Sequence, residues 1–244
     1  MSVLESLRAK ANCLHHRISR IVWGDQIGIG LFVGSLLFFV LTWRTGFFIN
    51  DNWTIANGLA NVATGHLNVD TLVYGPEPGA HPGMHLVDGK LYARNYGLIF
   101  FALPLLWVIE LVASVAELGV AIAAGWSIGL LWIGDRFGPR TAYPRITKSS
   151  VLFLAGLVFV ANAWFAPAIA PRWHALLALQ LLTLLLAGLL VVLMYRLLSY
   201  LYDRRVGVVS AIVLAVGTPI GLWATIPKRH ITIAAFALVT FAAF

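Results

Sequence analysis

Residues 22–43 read VWGDQIGIGLFVGSLLFFVLTW, and residues 44–54 continue RTGFFINDNWT. The first stretch is an almost unbroken apolar run, close to the roughly twenty residues that a helix needs to cross a bilayer. Its one acid, Asp25, sits at the edge. The second stretch places Asn50-Asp51 just beyond the run. A carboxylate at the mouth of a transmembrane helix is costly unless it faces water or a partner, so Asp51 is a functional candidate. It opens a polar loop, residues 46–96, that holds Asp51, Asp70, Glu77 and Asp88, four of the ten acids in the chain.

The surroundings of that loop are apolar. The 244 residues are 60% hydrophobic and 11% charged, with mean hydropathy +0.85. Soluble domains average about a quarter charged residues. The expectation is therefore an all-α, polytopic transmembrane helical bundle with an external loop that contains an interfacial helix. The net charge of +7 is dispersed among loops, which argues against nucleic acid as a partner. Residues 1–22 carry Arg8, Lys10, Arg17 and Arg20 against Glu5, a net +3. Residues 135–148 carry Arg136, Arg140, Arg145 and Lys148 against Asp135, again +3, and residues 46–96 carry −2. By the positive-inside rule the N-terminus and the 135–148 loop lie in the cytoplasm, and the acidic loop lies outside the cytoplasmic membrane.

Residues 1–21 read as a basic amphipathic helix on an anionic membrane face, with the single cysteine, Cys13, as an ordinary free thiol. The first apolar run starts late and lacks a small-residue cleavage site, so no cleaved signal peptide is expected. Residues 22–244 form the membrane module. Its spans are expected at about 22–43, 118–133, 151–170, 174–198 and 206–225, with a partial span at 231–244. Residues 97–113, with Pro104, read as an interfacial or partly inserted helix, because a full crossing there would carry the basic 135–148 loop outside. Asn52–Thr64 is expected to be helical and to stop at Gly65. The density of Gly and Pro over Tyr74–Gly89 argues for irregular structure. A span that stops after fourteen residues is short for a bilayer, so the chain is expected to be the N-terminal piece of a longer protein.

Two polar clusters share the external face in this topology. One is Asn50-Asp51, and the other is Pro227-Lys228-Arg229-His230. Cations there would hold a phosphate while the carboxylate takes a proton from an acceptor. Phosphates presented at a membrane surface are mostly lipid phosphates. Each residue also has a plainer role. Asp51 would serve as an N-cap. Lys228 and Arg229 would be snorkelling flanks of a span. Tyr92 and Tyr96 would belong to an interfacial aromatic belt. His81 and His85 near Asp88 are weak candidates for a divalent metal, since no helical face enforces their spacing. Asn52-Trp53-Thr54 is a glycosylation triplet set too close to the membrane to favour modification. Glu110 and Glu117 read as packing or interface acids.

The acid after the first span, the short helix ending Ala63-Thr64-Gly65-His66, and the run Asp88-Gly89-Lys90-Leu91-Tyr92-Ala93-Arg94-Asn95-Tyr96-Gly97 together resemble the first external loop of GT-C glycosyltransferases. Protein O-mannosyltransferases and lipid A aminoarabinose transferases belong to that group. Residues 175–235, with Tyr195-Arg196, Tyr202-Asp203-Arg204-Arg205 and Gly217-Thr218-Pro219, are similar as well. The resemblance implies inverting transfer of a sugar from a polyprenyl-phosphate sugar lipid to an acceptor outside the membrane. It implies Asp51 as base, with Lys228, Arg229, His230 and Arg94 on the donor phosphate. Asn50, Asp88, Tyr92 and Tyr96 would be substrate contacts. No cofactor is called for beyond the weak divalent-metal candidate at His81 and His85. The alternative is a non-catalytic membrane protein: a truncated homologue, a subunit or part of a transporter. The spans are nearly free of mid-membrane charge, which argues against a transporter.

Overall fold

The structure, a computed structural model, describes residues 23–47, 49–75 and 83–243. The amphipathic segment expected at 1–21 and the candidate ligand His81 lie outside the described residues. Nine α-helices are described: α1 (Gln26–Val40), α2 (Asn50–Ala63), α3 (Tyr96–Ala113), α4 (Leu118–Phe137), α5 (Pro144–Phe165), α6 (His174–Leu201), α7 (Arg204–Gly217), α8 (Ile220–Thr225) and α9 (Arg229–Ala243). An antiparallel hairpin, β1 (His85–Val87) and β2 (Lys90–Tyr92), precedes α3.

Four segments are long and apolar enough to cross a membrane: Tyr96–Ala113, Leu118–Arg140, Pro144–Phe165 and Pro171–Leu201. They mark a membrane protein. Helix α6 is the axis of the bundle, buried along most of its length, and α1, α3, α7, α8 and α9 all pack on it. Helix α5 packs chiefly on α4 and exposes Leu152, Phe153, Leu157, Val160 and Trp164. Such outward apolar side chains suit lipid as solvent.

One end of the bundle is pinned around Asp25. Its carboxylate caps α1 by accepting from the Gly28 N–H (3.0 Å). It also accepts from the Tyr195 hydroxyl (2.9 Å) and from Arg204 Nη2 (2.6 Å), so α1, α6 and α7 meet there. The opposite end carries α2 and the Asp51 loop. Helix α3 packs only at that opposite end. Its buried Leu98, Ile99, Ala102 and Leu106 share a cluster with α2 and with α6 residues between Trp173 and Leu182. Helix α3 nonetheless has the length to cross a membrane, a property that its assignment to an interface leaves aside.

Several expected elements are redrawn. The single span at 206–225 is broken. Helix α7 stops at Gly217, Thr218 is extended (φ −123°, ψ 160°), and Pro219 precedes α8. Proline has no N–H and drives the preceding residue out of the α region. Thr218 patches the break by donating to the Leu214 carbonyl (2.6 Å) and accepting from the Ile220 N–H (3.3 Å). Within the expected span 22–43, α1 covers Gln26–Val40, and i→i−3 bonds from Leu41, Thr42 and Trp43 tighten its end. Helix α5 begins at Pro144, a residue pre-shaped for the first helical position, and so takes in Arg145 and Lys148. Helix α4 runs on to Phe137 and α6 to Leu201.

The fold is mostly helical, and the irregular structure expected over Tyr74–Gly89 gives way to a hairpin turn at Val87-Asp88-Gly89-Lys90. Asp88 (φ 49°) and Gly89 (φ 74°) form the left-handed pair of a two-residue hairpin turn. Asp-Gly between β-capable residues is the sequence signal for that turn.

Residues 70–74 of the loop lie on a ladder of asparagines. Asn57 accepts from the N–H groups of Val73 (2.7 Å) and Tyr74 (3.0 Å) and donates to the Tyr74 carbonyl (2.7 Å). One turn later Asn61 accepts from Asp70 and Thr71 (both 3.0 Å) and donates to the Thr71 carbonyl (2.8 Å). Both side chains are buried, so each satisfies backbone groups that would otherwise lack a partner. Tyr74 is held in turn by Phe47 and Trp173, with ring centroids 5.1 and 6.4 Å away, and its hydroxyl donates to the Arg172 carbonyl. Burial pushes its phenol up to about 12, so it is a neutral donor at pH 7.

We predict that Asn57→Ala strips two N–H groups and a carbonyl of their partner, at a cost of about 3 kcal/mol. Thermal unfolding in detergent should shift down, and protease should cut residues 65–75 faster. Unchanged melting and cleavage would refute the ladder.

Candidate active site

Helix α2 brings Asp51 to the site, although not as its cap. Ile49 is the N-cap and makes no side-chain bond, while Asp51 sits within the first turn. There its carboxylate lies at the positive end of the helix dipole. The expected cap role of Asp51 is thus corrected. Helix α2 lies very close to α3: a Cβ at Gly58 would stand 2.5 Å from Ala93 Cβ and 2.6 Å from Ile99 Cδ1. Only glycine permits that approach, and Arg94 follows directly after the contact.

The second half of the site arrives from the far part of the chain. Asn52 is fully buried, and its Nδ2 donates to the Pro227 carbonyl (2.7 Å). The same burial removes it as a glycosylation acceptor. The bond sets Lys228 beside α2, with Nζ 3.7 Å from Asp51 Oδ2. The two side chains are 27% and 40% exposed, so the pair contributes about 0–1 kcal/mol to stability and stays open to solvent. Trp223 meets both Lys228 and His230: Lys228 Nζ lies 5.9 Å from its ring centroid, and the His230 ring meets it edge-on at 5.4 Å.

A small cavity of about 90 Å³, room for a handful of waters, is lined by Asp51, Thr54, Ile55, Arg94, Asn95 and Arg229. Three elements supply its charges. Asp51 comes from α2, Arg229 opens α9, and Arg94 follows the hairpin. Arg94 is aimed by donating from Nε to His85 Nε2 (3.0 Å) and by left-handed Asn95 (φ 57°). One carboxylate beside two guanidiniums can bind an oxyanion and accept a proton within one volume.

The other sequence candidates have different places. Asp88 is an exposed hairpin turn residue and does not line the cavity. Tyr92 pairs with His85 in the hairpin and bridges to Asn68. The Tyr96 hydroxyl donates to the Leu67 carbonyl and accepts from the Ala93 N–H (3.2 Å). Asn50 is the exposed first residue of α2. Among the described residues no three His, Cys, Asp or Glu side chains converge as a metal would need, and His85 is engaged by Arg94.

Sequence reasoning overlooked Thr54, Ile55 and Asn95 in the cavity wall, and Gln180 behind it. Gln180 is buried in α6, accepts from Trp43 Nε1 (2.9 Å), and donates to the carbonyls of Arg44 and Thr225 (both 2.9 Å). It therefore ties the lead-in to Asp51 to the lead-in to Lys228-Arg229. A lone amide in an otherwise apolar span was the available signal. We predict that Gln180→Leu, of similar volume, lowers stability by about 1–3 kcal/mol. An unaltered melting temperature in detergent would show that these three bonds do not hold the two lead-ins.

No protein-family model, curated protein or solved structure matches the chain, so its site is interpreted from its own geometry.

Proposed function

We propose that this chain is an integral membrane glycosyltransferase module of GT-C type, set in the cytoplasmic membrane with its N-terminus inside. It transfers a sugar from a polyprenyl-phosphate donor to an acceptor hydroxyl or amine on the external face. The observation that carries the reading is the shared cavity of Asp51, Arg94 and Arg229. Helices α3 and α9, which follow Asn95 and begin at Arg229, expose Phe100, Phe101, Phe236 and Ile233, with the Phe101 and Phe236 rings 6.2 Å apart. A charged cavity bordering an exposed apolar face suits an amphiphile with a phosphate head.

Asp51 takes the proton of the acceptor as its oxygen or nitrogen attacks the anomeric carbon. The bond from that carbon to the phosphate oxygen breaks, and the polyprenyl phosphate leaves with the electron pair. Arg94 and Arg229 stabilise the charge that grows on the leaving phosphate. Lys228 stands beside Asp51 and is shared between the carboxylate and the incoming anion. A single displacement inverts the sugar carbon.

A second reading, a non-catalytic membrane protein, draws on the Asp51–Lys228 pair, which gives the carboxylate a structural partner. The two readings diverge on Asp51→Asn. Asparagine preserves the first turn of α2 but cannot act as a base. We predict a loss of transfer of about 10²–10⁴-fold, with melting unchanged, in membranes supplied with labelled polyprenyl-phosphate mannose, glucose and aminoarabinose. Arg229→Lys should raise the donor KM more than it lowers kcat. Equal transfer by wild type and Asp51→Asn, or no transfer by wild type from any of the three donors, would leave the non-catalytic reading standing.

A further inference from the structure

A groove of about 770 Å³ runs between α1, α4 and α6. It extends from Trp23 and Trp132 at the Asp25 end to Trp43 and Leu118 at the other. It thus follows the whole of α1, about 22 Å at 1.5 Å per residue. Every lining residue is aliphatic, aromatic or glycine. In a bilayer such a groove is solvated by a hydrocarbon chain. The charges at its two mouths say which kind.

At the Asp25 end, Arg140 reaches back to α1. Its Nη2 donates to Gln26 Oε1 (2.8 Å) and its Nη1 to the Arg136 carbonyl (2.6 Å). Both acceptors are neutral, and no described carboxylate lies within ion-pair distance of this guanidinium. The acids nearby are already engaged: Asp25 by Tyr195 and Arg204, and Asp135 by Lys148 at 3.2 Å. The Arg196 side chain lies over Gly24, next to Trp23, with Nε 3.4 Å from the place of a Cβ. At this mouth Arg140 is the guanidinium whose described partners are all neutral. At the far mouth the lining residues Ile109 and Leu118 are the immediate neighbours of exposed Glu110 and Glu117. An anionic head is favoured at the first mouth and repelled at the second.

We infer that the groove is a binding site for an anionic glycerophospholipid. One acyl chain lies along α1, and the phosphate sits on Arg140 at the Asp25 end. Basic pockets between membrane helices bind anionic headgroups in this way. The site is distinct from the Asp51 cavity at the opposite end and does not depend on the glycosyltransferase reading.

The test uses the full chain in detergent, titrated with phosphatidylglycerol or phosphatidylcholine of identical chains and read by native mass spectrometry. Wild type should bind phosphatidylglycerol more tightly. Arg140→Gln should weaken phosphatidylglycerol roughly fivefold, the equivalent of one surface cation, leave phosphatidylcholine unchanged, and be rescued by Arg140→Lys. Gly125 lines the groove, and a Cβ there meets nothing within 4 Å. Gly125→Leu should therefore fill the groove without disturbing the helix and weaken both lipids. Equal affinity for the two lipids in wild type would overturn the inference, as would headgroup preference surviving Arg140→Gln. Displacement of phosphatidylglycerol by lower concentrations of polyprenyl phosphate would overturn it too, assigning the groove to a prenyl chain.

Discussion

The side-chain amide of Gln180 is the joint on which the rest of the arrangement depends. It lies in the most buried helix, where water cannot satisfy loose ends, and it occupies one donor and two acceptors from segments far apart in sequence. Trp43 and Arg44 follow the first apolar helix, and Thr225 ends the short helix α8. One turn along α6, Thr183 donates to the Ala224 carbonyl (2.8 Å) and repeats the attachment. Both chain breaks leave backbone groups exposed inside a dry bundle, and α6 carries the polar side chains that satisfy them. A broken helix is tolerated where neighbouring side chains re-satisfy its backbone.

From that joint the two arms of the candidate site diverge and meet again. One arm turns into α2, and the other passes Pro227 into α9. The Asn52–Pro227 bond closes the circuit. Asp51 and Lys228 thus face each other across roughly three quarters of the 244-residue chain without belonging to any common regular element. The loop beyond α2 is ordered by the same device. Asn57 and Asn61 stand in for a sheet or helix along residues 70–74, because a carboxamide offers the backbone the same donors and acceptors as a peptide.

The two ends of the molecule differ in electrostatic character. At the Asp25 end the described acids Asp25 and Asp135 are engaged in a cap and in ion pairs, while Arg140 has only neutral described partners. At the Asp51 end an acid and two guanidiniums share one small volume. An amphiphile with an anionic head has a favourable place at each end, for different reasons. At one end an apolar groove is crowned by cations, and at the other a polar cavity borders an apolar face.

The membrane class, the helices and the residue types of the site were legible in the chain because they rest on local properties. Hydropathy over about twenty residues marks α3, α4, α5 and α6 whatever they pack against. Asp51 and Lys228-Arg229 stood out because charge is rare here. The asparagines of α2 and Gln180 carried a weaker signal, polar groups on faces that should be apolar, and were passed over because their partners are backbone atoms, which no sequence pattern displays. The Asp-Gly turn was readable and was hidden by the Gly/Pro density around it. What only the tertiary structure decided is the pairing: Asn52 with Pro227, Arg94 with His85, Asp25 with Tyr195 and Arg204. Each joins residues through a bond a few ångströms long, and that distance is set by the β1–β2 hairpin for Arg94 and His85 and by helix packing for the others. Composition and periodicity say which groups must find partners in a dry interior, and packing alone says which partners they find.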